Sequence, residues 1–167
     1  TRFEIHLKDA GQFSANGKDE AEFYLALNPG EPVKPLENIA SGGELSRIML
    51  AIKTVLADAE DTPTLIFDEI DAGISGVTAA KAGEKLKLIG KSRQVICITH
   101  LSQIAAVADS HFLIEKSAEN ESVKTRIRLL NEEDSVKELA RILGGDKITS
   151  SIMESAREMK EMAKSEI

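Results

Sequence analysis

Two short apolar runs, residues 64–67 and 94–99, are separated by one stretch of helical periodicity. Residues 64–67 (TLIF) show no polar alternation, so they read as a strand covered on both faces. Residues 94–99 (QVICIT) read as a second, fully buried strand. Between them Ala79, Ala82, Leu86 and Ile89 recur at helical spacing, which predicts a helix over 77–89. Strand, helix, strand in this order is a βαβ unit, and that restricts the pair to a parallel sheet with a right-handed crossover. The fold class is therefore α/β.

The first of these strands runs directly into Asp68 and Glu69, followed by Ile70, Asp71, Ala72 and Gly73. An Asp-Glu pair at a strand end is either solvated and capping, or a functional pair. The C-terminal end of a parallel strand faces the usual ligand crevice of an α/β sheet. There one carboxylate can help hold Mg²⁺ against nucleotide phosphates, and the other can orient and deprotonate a water. A G-x-x-x-x-G-K-[ST] phosphate loop is absent from the sequence. These residues thus offer half of an ATPase site.

Two further motifs bear on the same chemistry. Ser41-Gly42-Gly43-Glu44-Leu45-Ser46 fits a capping box, with Ser41 as N-cap and Glu44 at the third helical position. Its two glycines also leave bare N–H groups at a helix N-terminus, an arrangement that suits a phosphate. The helix it opens is marked by Leu45, Ile48, Met49, Ile52, Val55 and Leu56. Thr99-His100 directly follows the second apolar strand. If the two strands are neighbours, His100 emerges beside Glu69, within reach of a γ-phosphate or an attacking water; otherwise it is a loop residue. Arg47 has Glu44, Asp71 or solvent as possible partners, and His6 and His111 read as structural.

The rest of the chain is organised around this unit. Residues 2–7 and 22–27 alternate, with Phe3, Ile5 and Leu7, then Phe23, Leu25 and Leu27, on the expected buried faces. Residues 11–18 are turn-rich, and 28–35 (NPGEPVKP) hold three of the four prolines, which excludes regular structure. A short helix is expected over 101–108, then strands at 111–116 and 123–130. Val136, Leu139, Ala140 and Leu143 mark a helix stopped by Gly144-Gly145, and Ile152, Ala156, Met159 and Ala163 mark a last amphipathic helix.

Composition narrows the class of partner. The 167 residues carry 21 Lys and Arg against 28 Asp and Glu, a net charge of −7. That argues against a large DNA-binding face, which needs clustered cations. The one cysteine, Cys97, excludes an intrachain disulfide and a cysteine zinc cluster, and reads as a buried inert thiol. No apolar run approaches the ~20 residues of a membrane span, and no signal-peptide pattern opens the chain. The first residue is Thr1, not Met, as expected of a piece of a longer protein.

In this order the motifs resemble the C-terminal half of an ABC-type ATPase head. SGGEL resembles the signature, LIFDE the Walker B strand, DAGIS the D-loop and ITH the switch-histidine loop. Transporter ATPases usually have proline after the Walker B glutamate, whereas Ile70-Asp71 is similar to the SMC-like branch. NPGEP, IASGGELSRIMLAIK, FDEIDAGISG, QVICITHLSQIAAVADSHF and ELARILGG together resemble the bacterial RecN family of SMC-like DNA double-strand-break repair ATPases. Ser102 departs from the proline common in that family.

The resemblance implies a partial ABC-type P-loop head over residues 1–167, lacking the Walker A segment. It implies ATP and Mg²⁺ as cofactors. Asp68 would serve the Mg²⁺ site, Glu69 would be the catalytic base and His100 would contact the γ-phosphate. Ser41, Gly42, Gly43 and Glu44 would meet the ATP of an opposite head, and Asp71 would lie at the head interface. The implied partners are the N-terminal Walker A half of the same head, a second head in a homodimer, and DNA through the full-length protein. A cytoplasmic, nucleoid-associated location without membrane contact follows, and this segment alone is expected to be inactive. The alternatives are a nucleotide-gated interaction module, or the head half of another SMC-like or ABC ATPase. Without a Walker A strand, the 94–99 strand is expected to present an unpaired edge.

Overall fold

A computed structural model of the chain describes residues 1–38, 41–56, 61–119 and 122–165. The motif residues Ile39 and Ala40 lie outside the described residues. The elements in order are β1 (Arg2–Ser14), β2 (Gly17–Ala26), β3 (Lys34–Pro35), a 3-10 turn (Leu36–Asn38), α1 (Gly42–Val55), β4 (Thr64–Phe67) and α2 (Gly76–Gly90). They continue with β5 (Gln94–Cys97), α3 (Ser102–Ala106), β6 (Phe112–Glu119), β7 (Ser122–Leu129), α4 (Glu132–Gly144) and α5 (Ser150–Ser165).

The βαβ unit is present as expected. β4 and β5 pair in parallel from Thr64↔Gln94 to Phe67↔Cys97, with α2 as the crossover. Ala79, Ala82, Leu86 and Ile89 of α2 are all buried. They form one core with Leu65 and Phe67 of β4, Leu50 of α1, Ile70 and Ile104. Leu50, rather than the exposed Val55 at 83%, is the α1 residue that reaches this core. A second core joins Ala105 and Ala106 of α3 to Leu139 and Ala140 of α4 and to Ala156 and Ala163 of α5. Small residues dominate it, so these helices approach closely. Gly145, at φ 63°, ends α4 by donating its N–H to Arg141 O at 2.8 Å.

The opposite face of the parallel pair is bare, and this corrects the expectation of strands covered on both sides. Leu65 and Phe67 face the helices, but Ile66 is 68% exposed, and Ile96 and Ile98 are exposed beside it. A four-residue apolar run shows that both faces want cover. It cannot show that this chain supplies it. β5 pairs with β4 and with no further strand among the described residues, so its outer edge is open.

The two antiparallel sheets show the same one-sidedness. β1 pairs with β2 from Arg2↔Ala26 to Asp9↔Asp19, and Ser14↔Gly17 resumes the register after an irregularity. The hairpin thus consumes most of the 11–18 stretch expected as turn. Phe3, Ile5 and Leu7, expected to be buried, form the exposed row, with Phe3 against Phe23 at a ring distance of 5.6 Å. Lys34–Pro35 pairs with Leu25 and Tyr24 as a two-residue strand inside the proline-rich segment. Proline is tolerated there because the strand is an edge. In the β6–β7 hairpin, Phe112↔Leu129 and Ile114↔Ile127 face one another on an exposed side.

The core assignment carries a stability expectation. Ile89→Ala, at a fully enclosed position, should cost about 2–5 kcal/mol. Val55→Ala should change stability by less than about 0.5 kcal/mol. Urea unfolding of the two variants checks the contrast; equal losses would displace the core from where it is drawn.

Candidate functional site

The site grows from the turn that follows β4. Asp68 is exposed, and its Oδ1 accepts the Glu69 N–H at 2.9 Å. Glu69 is the one non-glycine residue at positive φ among the described residues, at 56°. Such a conformation costs on the order of 1–3 kcal/mol and persists only where neighbours impose it. Here the neighbours belong to α1. Ser46 Oγ donates to Asp68 O at 2.8 Å, and Arg47 Nη1 donates to Ile70 O at 3.1 Å and Ala72 O at 2.8 Å. Arg47 therefore binds backbone carbonyls, and neither of the side-chain partners considered from the sequence. Hydrogen bonds from a charged donor contribute about 1.5–3 kcal/mol.

The glycines of α1 have a steric reason. A Cβ on Gly43 would stand 2.8 Å from Ala72 Cβ and 2.9 Å from Glu69 O. Only a bare α-carbon lets the helix sit on this turn. A Cβ on Gly42 would stand 2.6 Å from Glu69 Oε2, so the carboxylate of Glu69 lies against the start of its own α1. A negative group at a helix N-terminus is favourably placed. Ser41 caps the same helix, its Oγ accepting the Glu44 N–H at 3.3 Å. The Ser41 half of the expected capping box is thus present.

β5 brings the third motif to the same end. The Ile98 N–H donates to Phe67 O at 3.0 Å, so the two strands run together to their last residues. Thr99 and His100 then meet Asp71. Asp71 Oδ2 accepts Thr99 Oγ1 at 2.6 Å and the His100 N–H at 2.7 Å, and lies 3.0 Å from His100 Nδ1. Asp71 is only 3% exposed. Its carboxylate, expected at a head interface, is thus engaged within the chain. Burial alone would raise the Asp71 carboxyl, but the bonds from Thr99 and the His100 backbone, with the His100 charge, hold it below the usual range. His100 itself is open, its side chain 73% exposed.

Strand alternation ties these positions together. Leu65 and Phe67, and Val95, Cys97 and Thr99, are the more enclosed members of their strands and loop ends. Ile66 and Asp68, and Ile96, Ile98 and His100, are the exposed ones. Asp68 and His100 thus continue the two bare rows of the sheet. Cys97 lies on the enclosed side, where burial pushes its thiol up to about 12. It stays protonated and inert at neutral pH. His6 stacks on Tyr24 and reaches Glu4, and His111 Nδ1 meets Ser135 Oγ at 2.8 Å, so both serve local structure.

Among the described residues no group of three or more His, Cys, Asp or Glu side chains could cage a metal ion. One exposed carboxylate at a strand end suits Mg²⁺ that arrives with phosphates and keeps its waters. Asp68 fits that role and does not fit a resident protein-caged ion. Sequence reasoning placed Thr99 and Ser46 within their motifs without partners, and missed the carbonyl partners of Arg47. A hydroxyl one residue before His100 was the available hint for Thr99; backbone acceptors leave none.

No family model matches the chain. Individual proteins do. It is 44% identical over 169 residues to the DNA repair protein RecN of Halalkalibacterium halodurans, covering 99% of this chain and 30% of that protein. The RecN of Vibrio cholerae is 43% identical over 159 residues, covering 95% and 29%, and that of Bacillus subtilis 40% over 152 residues, covering 91% and 26%. The chain therefore spans less than a third of the length of these relatives.

Solved structures agree on the fold. An Smc head domain with a coiled coil and joint from Pyrococcus yayanosii aligns with a TM-score of 0.55 and 26% identity, over 82% of this chain and 25% of that one. A chain from work on ATP-driven dimerization and DNA-stimulated activation of SMC ATPases aligns at 0.52 and 26%, over 87% and 83%. No helix among the described residues is long and apolar enough to cross a membrane.

The glycine contacts predict an asymmetry. Gly43→Ala meets backbone and should cost about 1–3 kcal/mol. Gly42→Ala meets only the far end of a flexible carboxylate and should change stability by less than about 1 kcal/mol. Thermal unfolding of the two variants distinguishes them, and equal effects would remove the close-packing account. By sequence the chain resembles the C-terminal part of RecN over nearly its whole length, and its α/β fold is similar to that of SMC ATPase heads.

Proposed function

We propose that this chain is the C-terminal part of an ATPase head whose ATP binding, head dimerisation and hydrolysis serve DNA double-strand-break repair and recombination. One observation carries the reading: Asp68 and His100 extend the bare rows of two neighbouring parallel strands, with Glu69 beside them. That is where an α/β sheet receives its ligand. The likeness to RecN proteins and SMC heads supports the same assignment.

In this proposal ATP and Mg²⁺ are the cofactors, and the nucleotide supplies the phosphoanhydride. Asp68 serves the Mg²⁺ site, Glu69 accepts the proton of the attacking water and His100 contacts the γ-phosphate, all in one head. Ser41, Gly42, Gly43 and Glu44 meet the ATP of a second, identical head. The turn that begins at Asp71 faces that head, while the Asp71 carboxylate stays turned inward. DNA is engaged by other parts of the protein, since this segment is acidic.

The N-terminal half of the head is the proposed cover for the bare sheet face and the open β5 edge. Exposed apolar surface next to an unpaired strand is a surface that seeks a partner. The relatives have more than two thirds of their length beyond the matched region, ample for such a segment. Hydrolysis should therefore be negligible with this chain alone and should appear, with Mg²⁺, when the N-terminal half is added. Ile66→Lys with Ile96→Lys should weaken that recovery at least about tenfold, because a charge buried at such a face goes unpaired. Titrating one half with the other while following phosphate release checks both statements.

Glu69→Gln separates an enzyme from a nucleotide-gated module. In the complete protein it should reduce hydrolysis by about 100-fold or more while preserving ATP-bound dimers. Unchanged hydrolysis would favour the binding module. Ser41→Ala should remove both the helix cap, about 1 kcal/mol, and the contact to the opposite phosphate. ATP-driven dimerisation that survives the change, followed by light scattering, would sink the role given to Ser41.

A further inference from the structure

Asp71 is a buried carboxylate that the proposed chemistry leaves without a task. Two donors converge on its Oδ2, Thr99 Oγ1 and the His100 N–H, and the His100 ring lies beside it with Nδ1 at 3.0 Å. Two of these contacts hold the loop. Thr99 Oγ1 also accepts the Leu101 N–H at 3.0 Å, so the turn leading into α3 is fixed at both ends. A buried acid that only tied loops together would stop there. The third contact, at 3.0 Å from an otherwise exposed imidazole, has a chemical consequence.

We propose that Asp71 is the positioning residue for His100, selecting the ring form in which Nδ1 carries the proton and Nε2 faces the bare side of the site. The inference rests on the proposed function only for what Nε2 then meets. A carboxylate 3.0 Å from Nδ1 attracts a proton on that nitrogen and repels a lone pair there. That neighbouring charge selects which ring nitrogen is left open. Neutral His100 then offers a lone pair at Nε2 to a water, and protonated His100 offers an N–H to a phosphate oxygen. The tautomer with its proton on Nε2, which would leave two lone pairs opposed at Asp71, is disfavoured.

The surroundings support the assignment. Asp71 stays charged although enclosed, because its bonds outweigh its burial. It is anchored by geometry independent of the imidazole: Arg47 holds the carbonyls of Ile70 and Ala72 on either side of it. The carboxylate is thus fixed before the ring arrives, as a positioning group must be.

Two measurements test this. In the ¹⁵N-histidine-labelled chain, which has three imidazoles, His100 is assigned by its loss in His100→Gln. Its neutral form should show a protonated Nδ1 and a bare Nε2. The opposite tautomer in the unaltered chain overturns the proposal without any appeal to a variant. In the complete protein, Asp71→Asn should lower kcat by about 10–100-fold, as loss of an orienting partner does. In a His100→Gln background the same change should have less than about a twofold effect, because its route is gone. An equal loss in both backgrounds makes Asp71 purely structural and overturns the proposal. If His100→Gln alone leaves hydrolysis intact, the catalytic reading of His100 fails, and the tautomer still decides the role of Asp71.

Discussion

The seating of α1 on the turn after β4 is the contact on which the site depends. A parallel strand ends with its carbonyls turned toward the crevice, and here the next carbonyls, from Asp68, Ile70 and Ala72, need partners. Ser46 and Arg47 supply them from one turn of α1. Gly43 permits the approach, since any side chain there would meet the backbone of Glu69 or Ala72. With the turn held from above, Glu69 adopts its φ of 56° and lays its carboxylate at the helix start. The strain at Glu69 is thus sustained by bonds that do not involve its own side chain. The Glu69 carboxylate is thereby left out of the bonds that hold the turn.

The βαβ unit, the capped start of α1 and the buried faces of α2, α4 and α5 were legible in the sequence. Each rests on local periodicity or on a side chain acting within four residues. Ala79, Ala82, Leu86 and Ile89 are apolar at helical spacing, and they are buried for that reason. Ser41 bonds to Glu44 across one turn. What the pattern cannot encode is the presence of a covering layer. Phe3, Ile5 and Leu7, like Ile66, Ile96 and Ile98, are apolar in the right register, yet they stand exposed. Their spacing states a demand for burial that the described residues do not meet.

The candidate site divides along the same line. Asp68, Glu69 and His100 were identifiable because they follow apolar strands, where a polar residue needs explanation. The part played by Arg47 was not, because its partners are carbonyls that every residue carries. Asp71 was recognisable as notable but not as inward-facing. Its spacing from Glu69 does not distinguish an interface from a buried bond. Only the parallel pairing of β4 with β5 brings Thr99 and His100 within 2.6–2.7 Å of it.

Parity in the two strands joins the open face to the chemistry. Alternation sends Leu65, Phe67, Val95, Cys97 and Thr99 toward the helices. It sends Ile66, Asp68, Ile96, Ile98 and His100 the other way. The layer that would bury the isoleucines must therefore end beside Asp68 and His100. In the proposed head, covering the sheet and completing the site are then one event. The apolar rows would drive that association, at roughly 25 cal/mol per Å² of apolar surface removed from water. The same association would exclude solvent around the exposed carboxylates, strengthening every charge interaction there. On the proposed reading, core and chemistry are gained together, and the bare isoleucines are as much part of the site as the acids they lead to.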